Sequence, residues 1–278
     1  MKGSSYCLFR PCVACYQVGE PGNLVQAFIM LDVSTVEMVV LQLLVLLVST
    51  AAGVVTFGFA MTMTPFFLIF LEPRLVVEVN LVLTSILFLV VSTRSWRHVI
   101  GGSLGGLLLG GALGIPLGVL LTVSVAETAL RFTLTGVVIV TAIMAMAGTF
   151  PSFRREGLAA VPVGALFTFV NASMALGGPL VAVFALGQGW TRDQTRAMLA
   201  SFFMVTGVVI LAAHAAAGLL GPDELRSAAV FVPALIVGSL LASRVVGRIN
   251  EALFRRLVLV AMVTTSLGVL VRELVNVL

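Results

Sequence analysis

Residues Phe169–Leu186 read FVNASMALGGPLVAVFAL, and residues Thr56–Leu71 read TFGFAMTMTPFFLIFL. Each is an apolar, membrane-like stretch that breaks at small or polar residues and restarts at a proline. Pro65 and Pro179 stand 114 positions apart, one in each half of the chain. Backbone that leaves helical geometry inside a bilayer must be buried in protein or line a wet cavity, because hydrocarbon satisfies neither N–H nor C=O. Paired breaks at matching places in two halves are the sequence pattern of a carrier whose binding site lies between them.

The remainder of the chain fits a membrane setting. Of its 278 residues, 60% are hydrophobic and 10% charged, with a mean hydropathy of +1.16. A soluble domain carries about 25% charged residues. Apolar runs near the ~20 residues needed to span a bilayer recur to the C-terminus. The fold class expected is all-α: a polytopic integral membrane protein with little soluble mass. The net charge of +4 comes from arginines, with Lys2 the single lysine. Here such a charge reads as topology signals and contact with membrane lipids, not nucleic acid. The three cysteines, Cys7, Cys12 and Cys15, precede the first span. They have neither the second pair nor the histidines of a zinc site, so no metal or other cofactor is expected.

The long runs are Glu37–Phe57, Leu75–Val91, Val99–Leu121, Ala129–Ala147, Leu158–Val170, Thr195–Leu219, Ser227–Val246 and Phe254–Val275, with short restarts at Pro65–Leu71 and Pro179–Leu186. This divides the chain into an N-terminal extension (1–35, with Met30 a candidate start), a first transmembrane repeat (36–150), a hinge loop (151–157) and a second repeat (158–278). Each repeat holds one broken segment and three further spans. If each broken segment crosses once, there are eight spans, and the basic residues divide eight against eight. The positive-inside rule then gives no orientation. If the chain turns back at each break, there are ten crossings and the halves are inverted repeats. The richer side then carries Arg94, Arg97, Arg154, Arg155, Arg192, Arg196, Arg244, Arg248, Arg255 and Arg256, and is read as cytoplasmic. Charge alone favours this second arrangement.

Every Asp and Glu, Glu78 included, is read as lying in a loop or near a span end, and His214 is the only histidine within a span. Intramembrane charges mark ion pathways and proton relays, so their scarcity argues against a proton pump, and the lack of a catalytic constellation argues against an enzyme. His214 is read as a hydrogen-bonded packing residue. What remains at depth is neutral donors and backbone. The first break offers Thr62, Thr64 and Pro65, and the second Asn171, Ser173, Gly177, Gly178 and Pro179. Asn80 and Ser201, on the helices that follow, add side-chain donors. Thr84 and Ser85 are adjacent, so at most one is expected to be central. A helix start presents unpaired N–H groups and a positive dipole end, and two facing starts can hold an anion without a buried countercharge. Each Ser or Thr taken singly also has a packing role. The cluster from Asn171 to Pro179 is too costly in an apolar stretch to be idle. The run Gly101–Gly118, with pairs such as Gly101/Gly105 and Gly102/Gly106, reads as a tight helix-packing face.

MALGGPLVAVFALGQGWTRDQTRAMLAS (Met174–Ser201) resembles the signature of the sulfite exporter TauE/SafE family. So do the first-half counterpart around Pro65 with its Glu72-Pro73 turn, and the stretch from LGIPLG through LTVSVAETALRFTLTGVVIV. The resemblance covers about 36–275. It maps the family's glycine-rich break onto Gly177 and Gly178, and onto a thinner Gly58, Ala60 and Met61 in the first half. It implies a carrier in the bacterial inner membrane for small sulfur-containing anions, sulfite or organosulfonates. An anion leaving an inside-negative cell gains about 2.3 kcal/mol per charge per 100 mV, so export needs no coupling proton. The open alternatives are a cation or neutral-solute carrier and a non-transport scaffold subunit. The glycine faces also leave room for a homodimer.

Overall fold

The computed structural model describes residues 34–55, 58–126, 156–176 and 190–245, together with 129, 132–133, 136 and 188. Seven α-helices lie among them: α1 Thr35–Val55, α2 Phe59–Phe70, α3 Pro73–Ser95, α4 Gly101–Ser124, α5 Glu156–Met174, α6 Arg192–Ala216 and α7 Pro222–Val245, with a 3₁₀ turn at Trp96–His98. Five of them are long and apolar enough to cross a bilayer, and α2 and the Ala160–Met174 part of α5 are shorter apolar pieces. The chain is a multi-pass, all-helical membrane protein among the described residues.

The helix boundaries follow local chemistry. Ser34 and Glu37 cap α1 reciprocally, each accepting the other's backbone N–H. Thr191 and Gln194 do the same for α6. Proline opens α3 and α7, where its missing N–H has no helical partner to lose. Helix α6 ends at Gly218, φ 73°, with Leu219 N–H returning to the His214 carbonyl at 2.9 Å. A glycine in the left-handed region is the usual stop of this kind.

One boundary corrects the sequence reading. The first half does not restart at Pro65: α2 begins at Phe59, and Pro65 lies buried inside it. The break is made by Gly58 at φ 93°, a conformation that costs glycine little. In the first turns of α2 the Thr62 hydroxyl bonds back to the Gly58 carbonyl (2.8 Å) and the Thr64 hydroxyl to that of Ala60 (2.7 Å), so neither polar side chain is left unpaired in the apolar bundle. With 12 residues, α2 is about 18 Å long, roughly half a bilayer core.

Three helix pairs organise the bundle. Helices α3 and α6 run antiparallel: Glu78 meets His214, Ser85 meets Gly207, and Ser92 meets Ser201. Helices α1 and α7 run parallel, with Gln42 donating to the Val230 carbonyl (2.7 Å) and Gly53 against Ala242. Helices α4 and α5 also run parallel. Gly110 lies on Val161 and Ala165, Gly114 on Ala165 and Thr168, and Gly118 on Phe169 and Ala172. The Thr168 hydroxyl donates to the Gly111 carbonyl at 3.0 Å. Short links then fix the ends. Helix α6 finishes beside the start of α3, so α7, and with it α1, starts at that same end, where α2, α4 and α5 finish.

The glycine run of α4 is a packing face, but through Gly110, Gly114 and Gly118. Gly101, Gly102 and Gly105, singled out by their spacing, face open space. The opposite face of α4 presents Leu109, Leu113, Leu117 and Leu120, all exposed, as a helix in hydrocarbon would. Inside, Phe88, Phe167, Phe202 and Phe203 stack at 4.4–6.1 Å between ring centres, locking α3, α5 and α6 together. The sequence expectations on Cys7, Cys12, Cys15, Ala129–Ala147, Gly177–Leu186 and Phe254–Val275 fall outside the described residues or nearly so.

A side chain at Gly114 would meet backbone of α5. Gly114→Val is therefore expected to lower the thermal unfolding midpoint of the detergent-solubilised protein, by overpacking of about 1–3 kcal/mol. Gly102→Val, in open space, is expected to leave that midpoint within about 0.5 kcal/mol of the parent.

Candidate functional site

Both breaks open onto one small cavity in the middle of the bundle. Its wall is the start of α2 (Gly58, Phe59, Ala60, Met61), the middle of α3 (Leu81, Thr84, Ser85, Phe88), the end of α5 (Asn171, Ala175) and the middle of α6 (Phe203, Gly207). It encloses about 30 Å³, room for one or two waters. The two residues with left-handed backbone nearest the breaks, Gly58 (φ 93°) and Ala175 (φ 58°), both line it. For an alanine that conformation costs about 1–2 kcal/mol. It is the only non-glycine at positive φ among the described residues.

The chemistry of this wall is neutral. The first intrahelical bond of α2 is Thr62 N–H to the Gly58 carbonyl, at 3.0 Å. The N–H groups of Phe59, Ala60 and Met61 therefore have no helical acceptor, and the positive end of the helix dipole faces the cavity. Thr84 and Ser85 bring hydroxyl oxygens and Asn171 an amide. The Ser85 hydroxyl donates to the Leu81 carbonyl at 2.7 Å, and that of Thr84 donates to Asn80. Gly207 is required by close approach, because a Cβ there would stand 2.5 Å from Ser85 Oγ. Among the described residues, no ionised side chain lines the cavity.

The residues singled out in the sequence divide into three sets. Asn171 lines the cavity. Thr62, Thr64, Pro65 and Asn80 lie one layer behind it, where Asn80 donates to Thr64 Oγ1 at 3.0 Å and ties α2 to α3. Ser173 turns inward to the Phe169 carbonyl (2.8 Å). Ser201 pairs with Ser92 at 3.2 Å toward the other end of α3. Gly177, Gly178 and Pro179 lie outside the described residues. Thr84 and Ser85 both reach the cavity, contrary to the expectation of one, because the wall subtends more than the ~100° between neighbouring helical positions. Phe88, Phe203, Gly207 and Ala175 were missed. Aromatic and glycine positions in an apolar helix carry no distinguishing pattern, and nothing in an alanine's identity announces positive φ.

A second correction concerns charge. Glu78 is not at a solvated span end: it is 2% exposed, and its Oε1 lies 2.7 Å from Nδ1 of the fully buried His214.

If the cavity is the wet part of the bundle, Ser85→Cys should react with a small methanethiosulfonate reagent, in a background with Cys7, Cys12 and Cys15 changed to Ser. Ser92→Cys, held in the dry contact with α6, should not. Equal labelling of both would remove the cavity as a solvent-reachable site.

The family model described as sulfite exporter TauE/SafE matches residues 41–269. No curated protein and no solved structure matches. The matched segment takes in α2 through α7 and all but the first turns of α1, and so both breaks and every residue of the cavity: the chain belongs to the sulfite exporter TauE/SafE family of membrane transporters.

Proposed function

We propose that this protein exports small sulfur-containing anions, of the sulfite or organosulfonate class, across the bacterial inner membrane by alternating access around its two breaks. The observation that carries the reading is the meeting of Gly58 and Ala175 at one cavity. Two interruptions of helical backbone, distant in sequence, converge where N–H groups of α2 and the Asn171 amide can face an anion. Backbone dipoles of this kind hold an anion without a fixed positive charge. A site without a countercharge also releases its ion readily, which a carrier requires.

The helix directions support the ten-crossing arrangement over the eight-span one. Under a halfway division, α1 corresponds to α5, α3 to α6 and α4 to α7, and each such pair runs in opposite directions. Helix α2 ends at the end of the bundle where α1 starts. Both features are expected of repeats (36–150 and 158–278) related by an axis in the membrane plane, which lets one half rock against the other around a fixed site.

An outward anion moves with the membrane potential, by about 2.3 kcal/mol per charge per 100 mV, which is more than tenfold in concentration ratio. A cation carrier is the competing reading, because Thr84 and Ser85 spend their protons on helix carbonyls and turn oxygen lone pairs outward.

Radiolabelled sulfite uptake into proteoliposomes separates the two. Anion export predicts uptake that rises when the lumen is made positive and that needs no sodium. Gly207→Val, which presses on Ser85, is expected to lower that uptake about tenfold in correctly inserted protein. Sodium-dependent flux, or no anion flux at any potential, would overturn the proposal.

A further inference from the structure

The buried Glu78–His214 pair lies outside the cavity wall, and its hydrogen bonding specifies how many protons it holds. His214 Nδ1 is 2.7 Å from Glu78 Oε1, and Nε2 is 2.8 Å from the Ala172 carbonyl oxygen. A carbonyl only accepts, so Nε2 carries a hydrogen. Nδ1 then faces a carboxyl oxygen across a hydrogen-bond distance, which requires one further proton between them. Either it sits on Nδ1, giving imidazolium and carboxylate, or it sits on Oε1, giving neutral imidazole and carboxylic acid. In both cases the pair holds two protons and is neutral overall.

Removing one proton leaves two acceptors and a single donor. Either Nδ1 and Oε1 then oppose each other with lone pairs, or the hydrogen moves to Nδ1 and the bond to Ala172 is lost. No tautomer keeps both contacts. The other carboxyl oxygen, Oε2, is buried with no hydrogen-bond partner among the described residues, so a net charge on the pair would go unsatisfied. An ionisable pair inside a membrane span is by default a functional site.

Its position gives the proton something to control. Ala172 lies in the last turn of α5, where carbonyls lack helical partners. Its oxygen is held by His214 and by the Thr122 hydroxyl at 3.4 Å. Three residues later comes Ala175, the strained residue of the second break, in the cavity wall. Among the described residues, other ionisable groups at this end are few. Glu224 at the start of α7 is near enough for its charge to act on Glu78, and it also caps Gly221 N–H. Asp223 is paired with Arg226, Arg74 donates to the Val125 carbonyl, Glu37 caps α1, and Glu72 is exposed. Helices α2, α4 and α5 bring no ionisable side chain to this end.

We propose that Glu78 and His214 form a proton-binding site that latches the end of α5, so that loss of one proton releases Ala172 and loosens the second break. The site makes transport pH-dependent even though the cavity itself carries no titratable group. This rests on the reading of the breaks as the moving parts of a carrier.

The test is amide hydrogen exchange across Ala172–Leu176, corrected for the intrinsic rate, from about pH 5 to about pH 9, a window wide enough for a buried carboxyl. The full-length protein in liposomes is compared with Glu78→Gln, whose amide donates permanently to Nδ1. In the parent, protection should fall by up to about tenfold per pH unit above the transition, the slope for one released proton. In Glu78→Gln it should stay flat. Parent protection that does not change with pH overturns the proposal, and this arm stands even if the variant fails to insert. A variant that follows the parent overturns it as well. Flux of a small sulfonate, which keeps one charge across this window, measured on the same liposomes should depend on pH in the parent only. If the exchange pattern appears but flux is absent from both proteins, the transport reading fails and the proton site stands.

Discussion

Hydrocarbon cannot solvate a peptide group, and each unsatisfied N–H or C=O in it costs several kcal/mol. Among the described residues, helical backbone gives way to left-handed geometry at Gly58 and Ala175 beside one cavity, and the surrounding helices keep those positions inside the protein. The Thr62 and Thr64 hydroxyls spend their own protons on carbonyls of the first turns of α2. His214 and Thr122 absorb those at the end of α5. The groups left over, the N–H groups that open α2, face a cavity wide enough for water and little else.

Close packing makes that burial possible. Gly110, Gly114 and Gly118 bring α4 against the backbone of α5, and Gly207 lets α6 approach Ser85 on α3. Between helices surrounded by lipid, association rests on such contacts and on interhelical hydrogen bonds, with no hydrophobic gain to drive it. Glycine in these helices gives up intrinsic propensity in exchange for contact. The leucines on the outer face of α4 are the complementary half of the same arrangement.

Much of this was legible in the sequence. Among the described residues, length and hydropathy locate the long helices within a few residues, and the Gly-rich run reads as a packing face. The end of α5 and the positive φ of Ala175 fall inside the cluster from Asn171 to Pro179, whose last three residues lie outside the described ones. What escaped lies in three-dimensional pairing. Pro65 drew attention as the breaker, yet Gly58 holds the left-handed turn and the proline is carried inside α2. Ala175 adopts positive φ with no residue-level signal. Glu78 reads as a residue near a span end because it stands six positions into its helix, and only the antiparallel contact of α3 with α6 brings His214, 136 residues away, onto it. A side-chain pair closed across two helices has no local pattern to read.

In the proposed arrangement opposed halves bring the two breaks to a single cavity, and the membrane sidedness of four exposed positions tests this most directly. Glu72, Ala217, His98 and Asp193 are each exposed and can be changed singly to cysteine in a background without Cys7, Cys12 and Cys15. An impermeant thiol reagent applied to intact cells should label positions 72 and 217 together. Positions 98 and 193, at the arginine-rich end that the proposal takes as cytoplasmic, should be labelled only after the cells are opened. Labelling of 72 and 217 from opposite sides would mean that the halves are not inverted, and the two breaks would then have no shared site to build.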